Sequence, residues 1–71
     1  MKKMRDIDLN CHKIMEKLDS IELMLQSQNK EGVKGSYICN AIEHIDRALL
    51  NVGTAHWFIR EFLELEEKGV E

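Results

Sequence analysis

The sequence predicts an all-α protein: an antiparallel two-helix hairpin of the coiled-coil type that assembles into a helical-bundle homo-oligomer. Apolar residues recur at heptad spacing along both halves of the 71 residues, and the two sets mirror each other about Val33. The apolar surface is also broader than one hairpin can cover, which indicates assembly. Residues 1–71 are expected to form a single domain, and a chain this short needs self-association or another aid to be stable.

Four heptad rows define the predicted hairpin. The first half carries Met4, Cys11, Leu18 and Leu25, with Ile7, Ile14 and Ile21 between them; the second carries Ile38, Ile45, Val52 and Ile59, interleaved with Ala41, Ala48, Ala55 and Phe62. Facing positions sum to 66, as 18 does with 48 and 14 with 52. These pairs predict an antiparallel seam in which large residues face small ones.

The helix boundaries follow from the turn residues. Helix one is predicted over about 3–29, because the apolar spacing is unbroken and no proline interrupts it. A loop over about 31–35 follows, with Gly32 as a left-handed cap, Gly35 in the turn and Ser36 as the next N-cap. Helix two is predicted over about 37–68. So short a loop makes the two helices antiparallel neighbours.

Gly53 raises the alternative that helix two breaks near its middle. Asn51-Val52-Gly53-Thr54 could end one helix and start another, but the heptad phase passes through it without a shift. A continuous helix is therefore the prediction, in which Gly53 costs about 1 kcal/mol relative to Ala. A glycine kept at that cost indicates close approach by a neighbour, or is simply tolerated.

Apolar residues outside the seam predict an interface. Those assigned to it are Ile42, Leu49, Leu50, Phe58 and Leu63. A second hairpin that completes a four-helix bundle would cover them. A helix from a different protein would satisfy the same surface.

Composition and motifs exclude several classes of function. The net charge of −3 argues against gripping duplex DNA, which requires many phosphate contacts. No nucleophile and base form a catalytic motif, so no enzyme is expected; His12, His44 and His56 lack metal-site spacing, so neither metal nor cofactor is expected. Two unpaired cysteines and no long apolar run indicate a cytoplasmic protein without a membrane span.

Nucleotide binding is the one chemical activity that the residues favour. Aromatic faces stack on bases, and Arg or Lys side chains contact phosphates. The candidate ligand-binding residues are Lys34, Tyr37, Arg47, His56, Trp57 and Arg60. The competing interpretation assigns Trp57 and Phe58 to oligomer packing and the charged residues to a solvated surface.

A segment of helix two resembles a known family. Tyr37-Ile-Cys-Asn-Ala-Ile-Glu-His-Ile-Asp-Arg-Ala-Leu-Leu50 is similar to the second helix of small phage hairpin proteins, the anti-CBASS cyclic-nucleotide sponges, in its initial aromatic residue and its repeating Ala41 and Ala48. The resemblance implies a symmetric oligomer, often a hexamer, that sequesters cyclic di- or trinucleotides between subunits without cleaving them. The ligand-binding residues named above come from their chemistry and are not transferred from the family.

The expected function is therefore a non-enzymatic, phage-type anti-defence protein that sequesters cyclic oligonucleotide signals at subunit interfaces. The alternative is a hairpin that binds a host or regulatory protein through its apolar stripe and inhibits or scaffolds it. A third possibility, an RNA-binding helical dimer, is disfavoured by the acidic charge. The oligomer number, the ligand and the partner are left open by the sequence.

Overall fold

The computed structural model describes residues 2–28 and 30–69, except for the side chain of Lys2. Two helices, α1 (Lys2–Gln26) and α2 (Gly32–Glu67), pack against each other as a hairpin, which confirms the predicted all-α fold. The molecule measures 56 × 16 × 12 Å and its radius of gyration is 16.6 Å. A compact domain of this length would have a radius of gyration of about 11 Å. The hairpin is therefore a rod with little interior.

Helix α2 is continuous through Gly53, as the unshifted heptad phase predicts. The hydroxyl group of Thr54, the residue proposed for the start of a new helix, instead donates a hydrogen bond to the carbonyl oxygen of Leu50 at 3.0 Å. A Cβ built on Gly53 would approach only the terminal methyl carbon of Met15, at an ordinary 3.9 Å. Packing within the chain therefore does not require glycine at this position.

The turn is built differently from the prediction. Helix α1 ends at Gln26 rather than near 29, and α2 begins at Gly32 rather than near 37. Gly32 has a φ of +69° and leads into α2 instead of capping α1. Gly35 lies within α2, where a Cβ would come within 2.5 Å of the carbonyl oxygen of Lys30. Glycine is needed at position 35 because the preceding backbone folds back onto the first turn of α2.

The antiparallel pairing is as predicted, but both helices are rotated about their axes. Contacts across the seam join Asp8 to His56, and Met15 to the position of Gly53. These pairs sum to 64 and 68, on either side of the predicted 66. On α1 the half-buried residues are Met4, Asp8, Cys11, Met15, Leu18, Glu22 and Leu25.

The isoleucine row of α1 is consequently not in the seam, which corrects the sequence prediction. Ile7, Ile14 and Ile21 are 38%, 48% and 38% exposed. On α2, Ala55 and Phe62 are exposed as well, whereas Ala41 and Ala48 of the same row, and Ile38, Ile45, Val52 and Ile59 of the other, are half-buried as predicted. The polar contacts of Asp8 and Glu22 across the seam accompany this rotation. One predicted row of each helix therefore faces inward, and much of the other row faces outward.

No residue in the described part of the chain is fully buried. Thirteen large apolar side chains are exposed by more than a third of their surface, among them Leu50, Trp57 and Phe58. Cys11 is half-buried and Cys39 is exposed, and both are free thiols. A fold without a buried core gains little from the hydrophobic effect, which usually dominates stability. The remaining apolar surface is available to other chains.

Candidate functional site

An apolar groove runs along one side of α2. Its lining consists of Asp46, Leu49, Leu50, Gly53, Thr54, Trp57 and Phe58. Gly53 has no side chain, so its backbone forms the floor of the groove between Leu50 and Trp57. We call this surface the tryptophan groove. It is an open depression, which suits a docking helix better than an enclosed small molecule.

Two aromatic rings stand at the end of the tryptophan groove. The rings of Trp57 and Phe58 meet edge to face, with centroids 5.0 Å apart and an interplanar angle of 82°. This is a preferred geometry for aromatic pairs. Both residues keep more than half of their surface exposed, at 57% and 63%. The pair holds its shape while offering apolar area to a partner.

A polar cleft continues from Trp57 towards the open end of the hairpin. We call it the open-end cleft; it is lined by Arg5, Asp8, Trp57, Arg60, Glu61, Leu63, Glu64 and Glu67. Four carboxylates thus face two guanidinium groups. The Arg5 guanidinium contacts a carboxylate oxygen of Glu67 at 3.1 Å, so one of the two cations is already paired. Glu64 is in turn paired with Lys68, whose Nζ lies 3.4 Å from a Glu64 carboxylate oxygen, so these groups together keep an excess of one negative charge.

A polar pair lies in the seam beneath this cleft. Nε2 of His56 is 2.7 Å from Oδ1 of Asp8, and their side chains are only 13% and 25% exposed. Neither atom has a partner with hydrogen-bond geometry among the described residues, so the close contact is not a directed hydrogen bond. His12 lies nearby, with its ring centroid 6.4 Å from that of His56. The arrangement fixes the open end of the seam and leaves His56 turned away from the outer surface.

Two carboxyl groups meet across the seam nearer the turn. A side-chain hydrogen bond to Asp46 raises the pKa of Glu22 above its ordinary value of 4.5. Burial and the negative charges of Asp46 and Asp19 raise that pKa further. Asp46 also lines the tryptophan groove, so its contact with Glu22 lies at one end of that groove.

The candidate ligand-binding residues do not form one site within a chain. Lys34 and Tyr37 lie in the first two turns of α2, about 30 Å from Trp57 at 1.5 Å per residue. The guanidinium of Arg47 contacts Glu43 at 2.8 Å, one turn away. His56 faces Asp8 in the seam.

Only Trp57 and Arg60 of that set share a surface, the open-end cleft. Sequence reasoning missed Arg5, which α1 contributes to the same cleft. The signal that could have found it was the antiparallel register, which brings the first turns of α1 beside the last turns of α2. That register also brings in the carboxylates of the α2 C-terminal region.

The predicted interface residues divide into two groups. Ile42, Leu49 and Leu63 are half-buried on the side of α2 next to the seam. Leu49 also lines the tryptophan groove and Leu63 the open-end cleft, so their assignment to an interface stays a prediction. Leu50 and Phe58 are 71% and 63% exposed and face outward as expected. The rotation of α2 explains the division, because it turns the flank that holds Ile42, Leu49 and Leu63 towards the first helix.

Searches for a metal site, a membrane span and related proteins were all negative. Across residues 2–28 and 30–69, no three His, Cys, Asp or Glu side chains are grouped so that they could hold a metal ion. Neither of the two described helices is long and apolar enough to cross a membrane. Comparison with protein-family models, curated proteins and solved structures gives no match.

Proposed function

We propose that the chain is a non-enzymatic interaction protein, a helical hairpin that acts as a homo-oligomer and binds a helix of a partner protein in the tryptophan groove. The observation that carries this proposal is the exposure of Leu50, Trp57 and Phe58 around the bare backbone of Gly53. Contiguous exposed apolar surface marks interaction sites. Aromatic residues in such surfaces commonly supply most of the binding free energy.

The open-end cleft defines the chemistry of the partner. Its four carboxylates outnumber its two guanidinium groups, one of which is paired with Glu67. A basic amphipathic helix fits this arrangement: its apolar side chains at i, i+3, i+4 and i+7 would fill the groove, and its Lys or Arg side chains would lie over the cleft. A cation near the ring of Trp57 would gain further attraction from its π face.

Fluorescence of Trp57, the single tryptophan of the chain, tests the proposal directly. The full chain is titrated with two synthetic amphipathic helices that share one apolar face, one carrying Lys and Arg on its polar face and the other Asp and Glu. We expect a saturable blue shift with the basic helix that weakens as salt rises. No shift with either helix at millimolar concentration would refute the proposal.

A matched pair of leucine variants locates the binding surface. Leu50→Ala removes a side chain of the groove that is 71% exposed, and Leu23→Ala removes one on α1 that is 62% exposed. We expect Leu50→Ala to weaken binding of the basic helix by about tenfold or more, which corresponds to about 1.4 kcal/mol. Leu23→Ala should leave the dissociation constant unchanged. If both variants weaken binding of the basic helix equally, the helix does not bind in the tryptophan groove.

A second candidate function is the sequestration of cyclic di- or trinucleotides. The placement of Trp57 and Arg60 in one cleft, with Arg5 beside them, favours it, because a base can stack on the indole while a phosphate contacts a guanidinium. The four carboxylates oppose it, since they repel phosphates. Calorimetry with a panel of cyclic nucleotides, at concentrations that keep the oligomer intact, decides the question. Binding that Arg60→Gln weakens supports this function, and the absence of heat at several temperatures excludes it.

A further inference from the structure

One side of the hairpin is almost free of charge. Its central residues are Ile7, Ile14 and Ile21 of α1, with Ala48, Ala55 and Phe62 of α2, and we call it the isoleucine–alanine face. Each isoleucine immediately precedes a seam residue of α1, so at about 100° per residue it lies on one flank of that helix. The tryptophan groove and the open-end cleft lie mainly on the other side, and Phe58 borders both the groove and this face. Ile14 is 48% exposed and Phe62 is 38% exposed.

The outer edges of the isoleucine–alanine face follow the same heptad spacing. They are formed by Lys3, Asn10, Lys17 and Met24 on α1, and by Tyr37, His44, Asn51, Phe58 and Leu65 on α2. Within Lys2–Gln26 and Gly32–Glu67, every Asp and Glu lies off this face and its edges. In a chain that is 32% charged, this segregation marks the face as one that is covered by apolar surface.

The exposed area of the chain indicates how much surface a covering chain would bury. The accessible surface is 5860 Å², whereas a compact monomer of 8.3 kDa exposes about 4,600 Å². The excess is about 1,300 Å² per chain. A standard protein interface buries about 800 Å² on each partner, and obligate dimers bury more. The excess is therefore of the size that a permanent dimer would remove.

We propose that a second copy of this chain covers the isoleucine–alanine face, related by a two-fold axis parallel to the helices, so that two hairpins form a four-helix bundle. The heights of the residues along the helix axes support this proposal. Ile7 with Phe62, Ile14 with Ala55 and Ile21 with Ala48 each sum to 69, next to the sums of 64 and 68 for pairs in contact across the seam. The isoleucine row and the row of Ala48, Ala55 and Phe62 therefore stand within about one helical turn of the same heights.

The two-fold operation exchanges these rows. It places α1 of one copy against α2 of the other, antiparallel and in the same register, so Ile14 and Ile21 of each copy lie over Ala55 and Ala48 of its partner, and Ile7 lies over Phe62. A surface that carries large residues and facing small ones at similar heights is self-complementary over those two pairs, which is what a two-fold interface requires. The inference rests on the homo-oligomer of the proposed function and defines its interface.

The mass of the full chain in solution, measured by sedimentation equilibrium, tests the inference. We expect a dimer of 16.6 kDa, twice the 8.3 kDa of the chain. Ala55→Glu places a carboxylate on the face, and Thr54→Glu places one on the adjacent exposed residue beside the tryptophan groove. The first should weaken association at least 100-fold and the second less than threefold. A monomer throughout the concentration series, or any assembly that Ala55→Glu leaves intact, overturns the inference.

A second pair of variants keeps the test decisive if Ala55→Glu does not fold. The two-fold arrangement places Lys17 beside Asn51 of the second copy, and the two positions lie on opposite edges of one chain. Asn51→Glu adds two symmetry-related ion pairs and should tighten the dimer by roughly 2- to 30-fold, given the strength of exposed pairs. Asn51→Lys should weaken it. Equal effects of the two variants on the dissociation constant of the dimer would contradict the proposed two-fold axis parallel to the helices.

The two proposals fail in different ways. Trp57 is outside the isoleucine–alanine face but its ring contacts Phe58 at the edge of that face. Dilution of the chain alone therefore gives the emission change that belongs to dimerisation, and a helix in the tryptophan groove should add a further, saturable shift at constant chain concentration. A dimer that binds no helix refutes the proposed partner alone. A monomer that binds the basic helix through Leu50 refutes the dimer alone.

Discussion

The contact between Asp8 and His56 offers the sharpest test of how the seam is held together. Its atoms are 2.7 Å apart in a seam that is otherwise mainly apolar, and the side chains are 25% and 13% exposed. Removing one partner of a fully buried ion pair costs about 3–5 kcal/mol, because the other charge is left uncompensated. Partial exposure and the lack of hydrogen-bond geometry reduce this, so Asp8→Ala should cost about 1–3 kcal/mol in the free energy of unfolding.

A double-mutant cycle isolates the interaction from the helix propensities of the substituted residues. Asp8→Ala, His56→Ala and the double variant are compared with the parent by urea denaturation, at one protein concentration because association contributes to stability. We expect a coupling free energy of about 1–2 kcal/mol, within the range for contacting residues. Arg47→Ala is the control, since Arg47 contacts the exposed Glu43 of its own helix at 2.8 Å, away from the Asp8–His56 contact, and it should change stability by less than about 0.5 kcal/mol. Coupling below about 0.3 kcal/mol would refute the reasoning.

Three further predictions concern single residues. Gly35→Ala should destabilise the hairpin by about 1–3 kcal/mol, because its Cβ would meet the carbonyl oxygen of Lys30 at 2.5 Å; thermal unfolding monitored by circular dichroism measures this, and an unchanged melting temperature would contradict it. Gly53→Ala should stabilise it by about 0.5–1 kcal/mol, because Ala is the better helix former and its Cβ has room; a loss of stability in the same assay would show that the packing is tighter than described. The raised pKa of Glu22 means that the folded state holds its proton more tightly than the unfolded state, so this group's contribution to stability falls as pH rises from 4.5 through the folded-state pKa. Glu22→Gln should flatten the plot of urea midpoint against pH in that window and raise the midpoint at pH 7, and parallel profiles of variant and parent would rule out the raised pKa of Glu22.

The Gly53→Ala variant also separates fold from binding. Within the chain the added methyl group meets nothing closer than 3.9 Å. In the tryptophan groove the same methyl group would stand between the docked helix and the floor. A variant that is more stable yet binds the basic helix more weakly is the expected result, and it would explain why a helix interior retains this glycine.

Sequence reasoning placed the candidate site less well than the fold. Trp57, Arg60, Leu50 and Phe58 are on outer surfaces as predicted, because their positions lie far from the seam on any reading of the heptads. His56 lies in the seam instead, where it meets a carboxylate 48 positions earlier in the chain. A helical wheel of α2 alone cannot reveal such a contact, because it depends on which residue of α1 stands at the same height.

The sequence by itself determined two helices and their antiparallel pairing. A heptad period specifies a helix that buries one stripe, and mirrored heptads joined by a short turn allow only an antiparallel neighbour. The tertiary structure decided the rotation of each helix about its axis. Ile14 and Met15 lie on opposite sides of the row formed by Met4, Cys11, Leu18 and Leu25, and both are apolar. Periodicity alone therefore does not say which of the two sides packs against α2. Contacts between the helices turned Met15 inward with Asp8 and left Ile14 exposed. That choice created the outward faces on which the proposed function depends.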